Sequence, residues 1–356
     1  MSKNQNDTLT PGTTQLDPVE LRKIKDEPLP EALATLLSKA RSHEKWPVAQ
    51  LISLFERNTR DCQISRHQLS SHIEKNATVF DKQAMILGVT GTPGAGKSSL
   101  IGALCLKLLN TDPNISIAVL AIDPSSQESG GALLGDRTRT LFPVNDNRLY
   151  FRSQASQRDL GGMSKITFHV TRILRKLFDV IIIETVGIGQ SEIEVQRLSD
   201  HTCLVMQPLA GDQVQFMKAG IMEVPDTFII NKCDEDVLAR KSLHLLKSSL
   251  KLAKIYVDNE ASANKAIFLT SATKHKGIDA LSEFVLSLTR QKDRNCRNDQ
   301  ERYFLTKWIR QAYGEFGIAV YDQFADNEAL TTGTFEEKEA YFKRLIASCL
   351  ADDLNP

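Results

Sequence analysis

Gly91-Thr92-Pro93-Gly94-Ala95-Gly96-Lys97-Ser98 fits G-x-x-x-x-G-K-[ST], the pattern of a loop that cradles phosphate oxygens. Its glycines let successive backbone N–H groups converge on an anion at a helix start. Lys97 brings a point charge to the β- and γ-phosphates, and the Ser98 hydroxyl can ligate Mg²⁺. Gly91, Gly94, Ala95, Gly96, Lys97, Ser98 and Ser99 are therefore candidate phosphate contacts, with Lys97 a candidate catalytic group. The flanks agree with the motif. Met85-Ile86-Leu87-Gly88-Val89-Thr90 is a short, branched apolar run of strand type, and Leu100, Ile101, Leu104, Leu108 and Leu109 repeat at helical spacing.

Three acids are candidates for a metal on those phosphates. Asp123 ends the strand-like run Ile117 to Ile122, and ligands bind at the C-terminal ends of parallel strands; the competing reading is an aspartate that opens a turn. Residues 127 to 165 hold Gly130, Gly131, Gly135, Gly161 and Gly162 among polar groups without a strong period, and read as a mobile, functional segment. Asp136 within it is a second metal candidate, while Arg137 and Arg139 can meet phosphates, a partner or only solvent. The run Asp179-Val180-Ile181-Ile182-Ile183-Glu184-Thr185-Val186-Gly187 has the layout of a Walker B strand with a switch glycine. A strand this apolar does not end in a carboxylate for packing alone. Glu184 is expected to act on the Mg²⁺ side and the Gly187 N–H to sense the γ-phosphate. Ser98, Asp123, Asp136 and Glu184 form the candidate metal set, and Asp136 and Glu184 join Lys97 as catalytic candidates.

The base is read farther along. Thr227-Phe228-Ile229-Ile230 leads into Asn231-Lys232-Cys233-Asp234, an N-K-x-D run. The Asp234 carboxylate can accept from guanine N1–H and the 2-amino group together, a donor pair that adenine lacks. Asn231 would brace the loop, and the Lys232 stem would cover the base face. Thr270-Ser271-Ala272-Thr273, after the strand-like run Ala266 to Leu269, resembles a final base-contacting loop, with Ser271 and Ala272 as its candidate contacts. Gln215 and Lys218, three apart, share a face if their segment is helical.

These elements alternate strand and helix, which predicts an α/β fold of the P-loop NTPase kind, a mainly parallel sheet flanked by helices. The expected organisation is a disordered leader at 1–18, a helical N-terminal extension at 19–80, the nucleotide domain at 81–290 and a helical C-terminal extension at 291–356. In that last segment Phe304, Trp308, Ala312 and Phe316 repeat every four residues as an apolar stripe, for packing on the nucleotide domain or for dimerisation. Cys62, His67 and His72 are spaced by five, about 140° apart around a helix, so they do not share a metal-binding face and the histidines are expected at the surface. Balanced charge, 44 basic against 44 acidic residues in 356, argues against nucleic acid as a partner. The six scattered cysteines fit a reduced, cytoplasmic protein, and no run is long and apolar enough to span a membrane. The polar start, Met1 to Pro11, resembles neither a secretory signal nor a transit peptide.

With these motifs assembled, the sequence resembles the ArgK/MeaB family of P-loop GTPases, bacterial relatives of the human methylmalonic aciduria type A protein, over about Gly88 to Leu288. The specific marks are the phosphate loop, Ala121-Ile122-Asp123-Pro124-Ser125-Ser126, Leu134-Gly135-Asp136-Arg137-Thr138-Arg139, Glu184-Thr185-Val186-Gly187-Ile188-Gly189-Gln190-Ser191-Glu192 and Asn231-Lys232-Cys233-Asp234. The resemblance implies a GTP-hydrolysing, Mg²⁺-dependent chaperone that controls cofactor loading or protection of an adenosylcobalamin-dependent acyl-CoA mutase of the methylmalonyl-CoA type. It implies Ser98, Asp123, Asp136 and Glu184 around Mg²⁺, a further switch at Gln215 and Lys218, and a homodimer formed through a C-terminal arm. The chain departs from the family at Leu209-Ala210-Gly211-Asp212, where the pattern is usually G-A-G-D, and at Ala219, where a second lysine is usual. A GTPase serving another metal centre such as nickel would call for a His-rich tract or clustered cysteines, which the chain lacks. A kinase or ATPase reading conflicts with N-K-x-D.

Overall fold

The computed structural model describes residues 18–57, 59–123, 146–155, 165–185, 191–208, 224–252, 265–290 and 297–353. Two compact units divide them: 82–300, with 43–45, in one, and 18–42, 46–81 and 301–353 in the other.

The continuous apolar runs in the middle of the sheet become strands buried on both faces, as parallel sheets require, while the two edge strands are only half-buried. The strands are β1 (Met85–Gly91), β2 (Ile117–Asp123), β3 (Leu149–Ala155), β4 (Val180–Thr185), β5 (His201–Met206), β6 (Thr227–Ile230) and β7 (Ala266–Leu269), with β3 and β7 at the edges. They form a seven-stranded sheet in the order β3-β2-β4-β1-β5-β6-β7, every ladder parallel. After β1 the chain steps outward to β2 and β3, returns to β4 beside β1, and then builds the other half from β5. Such a reversal beside the first strand is where α/β sheets hold ligands. One face carries α5 (Lys97–Thr111) and the helix Ile278–Thr289, packed over Leu87, Val89, Val119, Ile182 and Val205. The other carries Asp236–Leu252, which buries Ala239, Leu246 and Leu250 over Leu204, Met206 and Phe228.

The N-terminal edge of the sheet follows one rule three times. Asp179, Asp200 and Asp226 each stand immediately before a strand and exchange hydrogen bonds with the neighbouring strand's start. Ser116 N donates to Asp179 Oδ2, Ile86 N to Asp200 Oδ2 and Thr202 N to Asp226 Oδ2, each at 2.8 Å. The three aspartate N–H groups return bonds to the carbonyls of Ser116, Ile86 and Thr202. Arg175 pairs with Asp200 at 2.6 Å and Lys82 with Asp179 at 3.0 Å.

One expectation changes in this unit. β3 lies inside the stretch read as a segment without period; as Leu149-Tyr150-Phe151-Arg152-Ser153-Gln154-Ala155 it is an edge strand on β2, and its mixed polarity reflects that edge. Lys165–Leu174 follows as an amphipathic helix with Phe168, Val170, Ile173 and Leu174 buried.

The second unit is helical and draws on both ends of the chain: α1 (Pro18–Asp26), α2 (Glu31–Arg41), α3 (Lys45–Glu56), α4 (Arg60–Lys75), and the helices Arg297–Phe324, Glu328–Thr331 and Phe335–Asp353. Lys25 pairs with Glu337 at 2.9 Å and Lys338 with Glu301 at 2.8 Å, tying the late helices to α1 and to each other. His67 is not at the surface as expected: it is fully buried, with Nε2 2.7 Å from the Leu21 carbonyl. The four-residue stripe is also corrected. Phe304 is buried and Trp308 half-buried, but Ala312 and Phe316 are exposed; Leu305, Ile309, Val320 and Tyr321 are buried instead. A four-residue step overshoots a helical turn by about 40°, so three steps drift about 120° off the face, and the helix also breaks at Gly314 (φ 62°, ψ −153°). No described helix is long and apolar enough to cross a membrane.

Candidate functional site

β1 delivers the chain to the phosphate loop at the middle of the sheet. Gly91 has φ 143°, and a side-chain carbon there would lie 1.9 Å from the Val205 carbonyl oxygen, so the approach of this loop to β5 demands glycine. Gly96 (φ 82°) precedes α5, and a Cβ there would meet Asn231 Nδ2 at 2.7 Å. Ala95 is buried, while Gly94 and Ser99 are exposed. The first N–H groups of α5 have no intrahelical acceptor and carry the positive end of the helix dipole, which suits them to an anion.

Lys97 is 7% exposed, and its Nζ donates to the carbonyls of Gly91 at 2.9 Å and Thr92 at 3.1 Å. Ser98 Oγ donates to Glu184 Oε1 at 2.6 Å, which brings the loop hydroxyl and the β4 carboxylate together. Glu184 is 8% exposed. Next to it Thr185 Oγ1 donates to Thr90 Oγ1 at 2.9 Å, a buried pair that spacing gave no reason to expect. Asp123 ends β2 one residue beyond the Ile122–Thr185 pair, which puts its backbone at the same edge of the sheet as Glu184. The Asp123 side chain, and Asp136, Arg137, Arg139, Gly187, Gln215 and Lys218, lie outside the described residues.

The N-K-x-D turn is built from two segments. The chain passes through a left-handed step at Lys232 (φ 61°). Before that step Asn231 reaches back, its Nδ2 donating to Ala95 O at 3.0 Å and Gly96 O at 3.3 Å. Thr270 Oγ1 donates to Asn231 Oδ1 at 3.1 Å and so fixes which end of the amide faces the phosphate loop. Beyond the step, Asp234 Oδ1 accepts from Ser271 Oγ at 2.5 Å and Thr273 Oγ1 at 3.2 Å. The Ser271 hydroxyl, with help from Thr273 and the nearby Lys274 and Lys232 charges, holds the Asp234 carboxyl below the usual carboxylate range. It is then a pure acceptor at neutral pH. Lys274 Nζ donates to the Asp234 carbonyl at 3.1 Å, and Ser271 and Lys276 close the loop as an antiparallel bridge. Ala272 is half-buried against the core, and Lys232 Nζ donates to Gln207 Oε1 at 3.3 Å.

The G-x-x-x-x-G-K-S loop, Glu184 and the N-K-x-D turn therefore form one bonded constellation. Asp234→Asn is expected to weaken GTP by about 10- to 100-fold, the equivalent of one hydrogen bond to a charged group, and to admit xanthine nucleotides, whose extra carbonyl can accept from the new amide. Competition of GTP and XTP against a fluorescent GDP analogue measures both; unchanged GTP affinity would remove Asp234 from base reading.

A family model described as methylmalonyl Co-A mutase-associated GTPase MeaB matches residues 48–315. GTPase ArgK of Escherichia coli is 34% identical over 267 residues, covering 72% of this chain and 77% of that protein. A Caenorhabditis elegans protein, the mitochondrial methylmalonic aciduria type A homolog, is 39% identical over 168 residues, 46% of this chain and 42% of its own length. A Pyrococcus horikoshii relative is 38% identical over 202 residues, and the match spans 61% of its length against 56% of this chain. A crystal structure described as LAO/AO transport system kinase superposes with a TM-score of 0.57 at 24% identity, covering 93% of this chain and 96% of that one, a likeness of fold.

Proposed function

Because the chain belongs to the MeaB family of methylmalonyl-CoA mutase-associated GTPases, we propose that it binds and hydrolyses GTP with Mg²⁺ and that this cycle controls cofactor loading or protection of an adenosylcobalamin-dependent acyl-CoA mutase. The observation that carries the nucleotide part is Asn231, whose amide joins the base-reading turn to the Ala95 and Gly96 carbonyls of the phosphate loop. One ligand spanning base and phosphates would then engage both. The mutase part is supported by the family description and by the methylmalonic aciduria homologs among the relatives.

The residues fit Mg²⁺. A hydroxyl and a carboxylate oxygen 2.6 Å apart, Ser98 Oγ and Glu184 Oε1, are hard oxygen donors of the kind that ion prefers, with Asp123 ending the strand beyond β4. Ser98 and Glu184 would hold it, and Asp123 and Asp136 are proposed to complete the set. Bound there, the ion supplies neutralisation of charge on the phosphate oxygens. The loop amides and Lys97 bind and orient the β- and γ-phosphates. Asp234 and the Asn231 brace fix the base, so the phosphate to be cleaved is placed relative to Lys97. Hydrolysis by positioning and charge neutralisation is slow until a partner completes the site. Gly187, Gln215 and Lys218 are proposed as the switch positions that report the nucleotide state. A homodimer formed through the C-terminal helices, acting in the cytoplasm, completes the proposal on the family resemblance.

The test is GTP turnover by the purified chain, alone and with an adenosylcobalamin-dependent methylmalonyl-CoA mutase of the same source, with ATP as control. Stimulation of GTP but not ATP hydrolysis is the expected result. Turnover indifferent to the mutase would remove that client, and equal use of ATP would remove the base reading.

A further inference from the structure

β1 and β4 carry threonine at facing, fully buried positions at the ends of largely apolar runs: Thr90 in Met85–Gly91 and Thr185, directly after Glu184, in Val180–Thr185. Valine would fill the same space. A buried hydroxyl is costly to desolvate unless it is hydrogen-bonded, and here each threonine supplies the other's partner at 2.9 Å. The place of the bond gives it a use. The backbone ladder between β1 and β4 runs to Val89 and Glu184; one residue on, β1 remains paired with β5 through Thr90 and Gly91, while Thr185 remains paired with Ile122 of β2. The two sides part there. On one side lies the phosphate loop, which begins at Gly91 and carries Ser98. On the other lie Glu184 and the end of β2 at Asp123. The hydroxyl bond spans this opening, next to the 2.6 Å contact between Ser98 and Glu184.

We propose that the Thr90–Thr185 hydroxyl pair is a positioning device for the metal ligands, holding the β4 carboxylate at the distance from the phosphate-loop serine that Mg²⁺ requires. Neither threonine touches the ion or the nucleotide; both act through Glu184 and Ser98. The inference rests on the Mg²⁺ reading above. Octahedral Mg²⁺ tolerates little error in ligand position, so a tip of β4 free to move relative to the loop weakens the ion's site before it weakens phosphate or base contacts.

The experiment is fluorescence titration of Mg²⁺ against GDP affinity, a binding measurement that needs no turnover. Three variants are compared with the native chain: Thr185→Val, Thr185→Ser, and the double substitution Thr90→Val with Thr185→Val. In Thr185→Val the Mg²⁺ concentration for half effect should rise about three- to tenfold, the weight of one net hydrogen bond, with GDP affinity in EDTA unchanged. Thr185→Ser should restore the native value. The double variant leaves no orphaned hydroxyl and should fold as stably as the native chain, yet it should show the same rise. A native-like Mg²⁺ response in the double variant would overturn the proposal, as would loss of GDP affinity in EDTA equal to the loss in Mg²⁺, which marks a merely structural pair. If GDP binding by the native chain ignores Mg²⁺ altogether, the metal reading itself fails, and that outcome is distinct from the others.

Discussion

Replacing Lys97 with alanine is expected to reduce GTP turnover about 10²- to 10³-fold, the loss typical when one preorganised donor to a developing negative charge is removed. Lys97 is buried, and its ammonium is held by the Gly91 and Thr92 carbonyls at the inner side of the loop. The substitution removes both the charge proposed to meet the β- and γ-phosphates and two hydrogen bonds that shape the loop, so GDP affinity should fall as well. Arginine is a poor substitute, because its planar fork cannot occupy a pocket built around a compact ammonium. Single-turnover GTP hydrolysis and calorimetric GDP binding measure the two effects. Native turnover in the alanine variant would show that the loop does not hold the reacting phosphates.

Glu184→Gln should act differently. The amide keeps the shape of the side chain and an oxygen to accept from Ser98, while the negative charge disappears. If Glu184 serves the metal in the transition state, kcat should fall about 10²-fold, roughly 2.7 kcal/mol, with GDP affinity within about threefold of native. Thermal stability should not drop, since a buried carboxylate has been replaced by a neutral group of similar volume. Glu184→Ala should show the same split between turnover and binding. Equal losses in turnover and affinity, or a fall in Tm with native kcat, would reduce Glu184 to a structural role.

The central part of this site was legible because its two signals coincide. A phosphate loop and an N-K-x-D run each follow a short apolar strand, and parallel strands buried on both faces are written as unbroken aliphatic runs. Glu184 stood out as an acid closing such a run, and the structure seats it on Ser98. The rest of the site depends on neighbours distant in sequence. Thr90 and Thr185 are 95 residues apart and Thr270 is 39 from Asn231, and no local spacing announces either bond. β3 was hidden because an edge strand has less apolar surface to cover and admits Arg152 and Gln154. His67 was misread because a histidine in a polar helical stretch usually faces water; here the Leu21 carbonyl gives its ring a partner inside the helical unit. Asp136, Gly187, Gln215 and Lys218 remain proposals drawn from motif and resemblance.

The three aspartates at the foot of the sheet have a consequence for how this chain finds its topology. Parallel sheets assemble from strands far apart in sequence, and many orders of seven largely apolar strands would bury similar area. Only when β4 lies beside β2, β5 beside β1 and β6 beside β5 does each carboxylate meet an N–H of its neighbour. In a wrong order, or after a shift of one residue, those charges would face carbonyl oxygens or apolar side chains, forfeiting about 1.5–3 kcal/mol apiece. Summed over three sites, that discrimination is comparable to the net stability of a whole domain. The acids would thus act as an assembly code, penalising miswired intermediates early while contributing little that a comparison of finished structures would reveal.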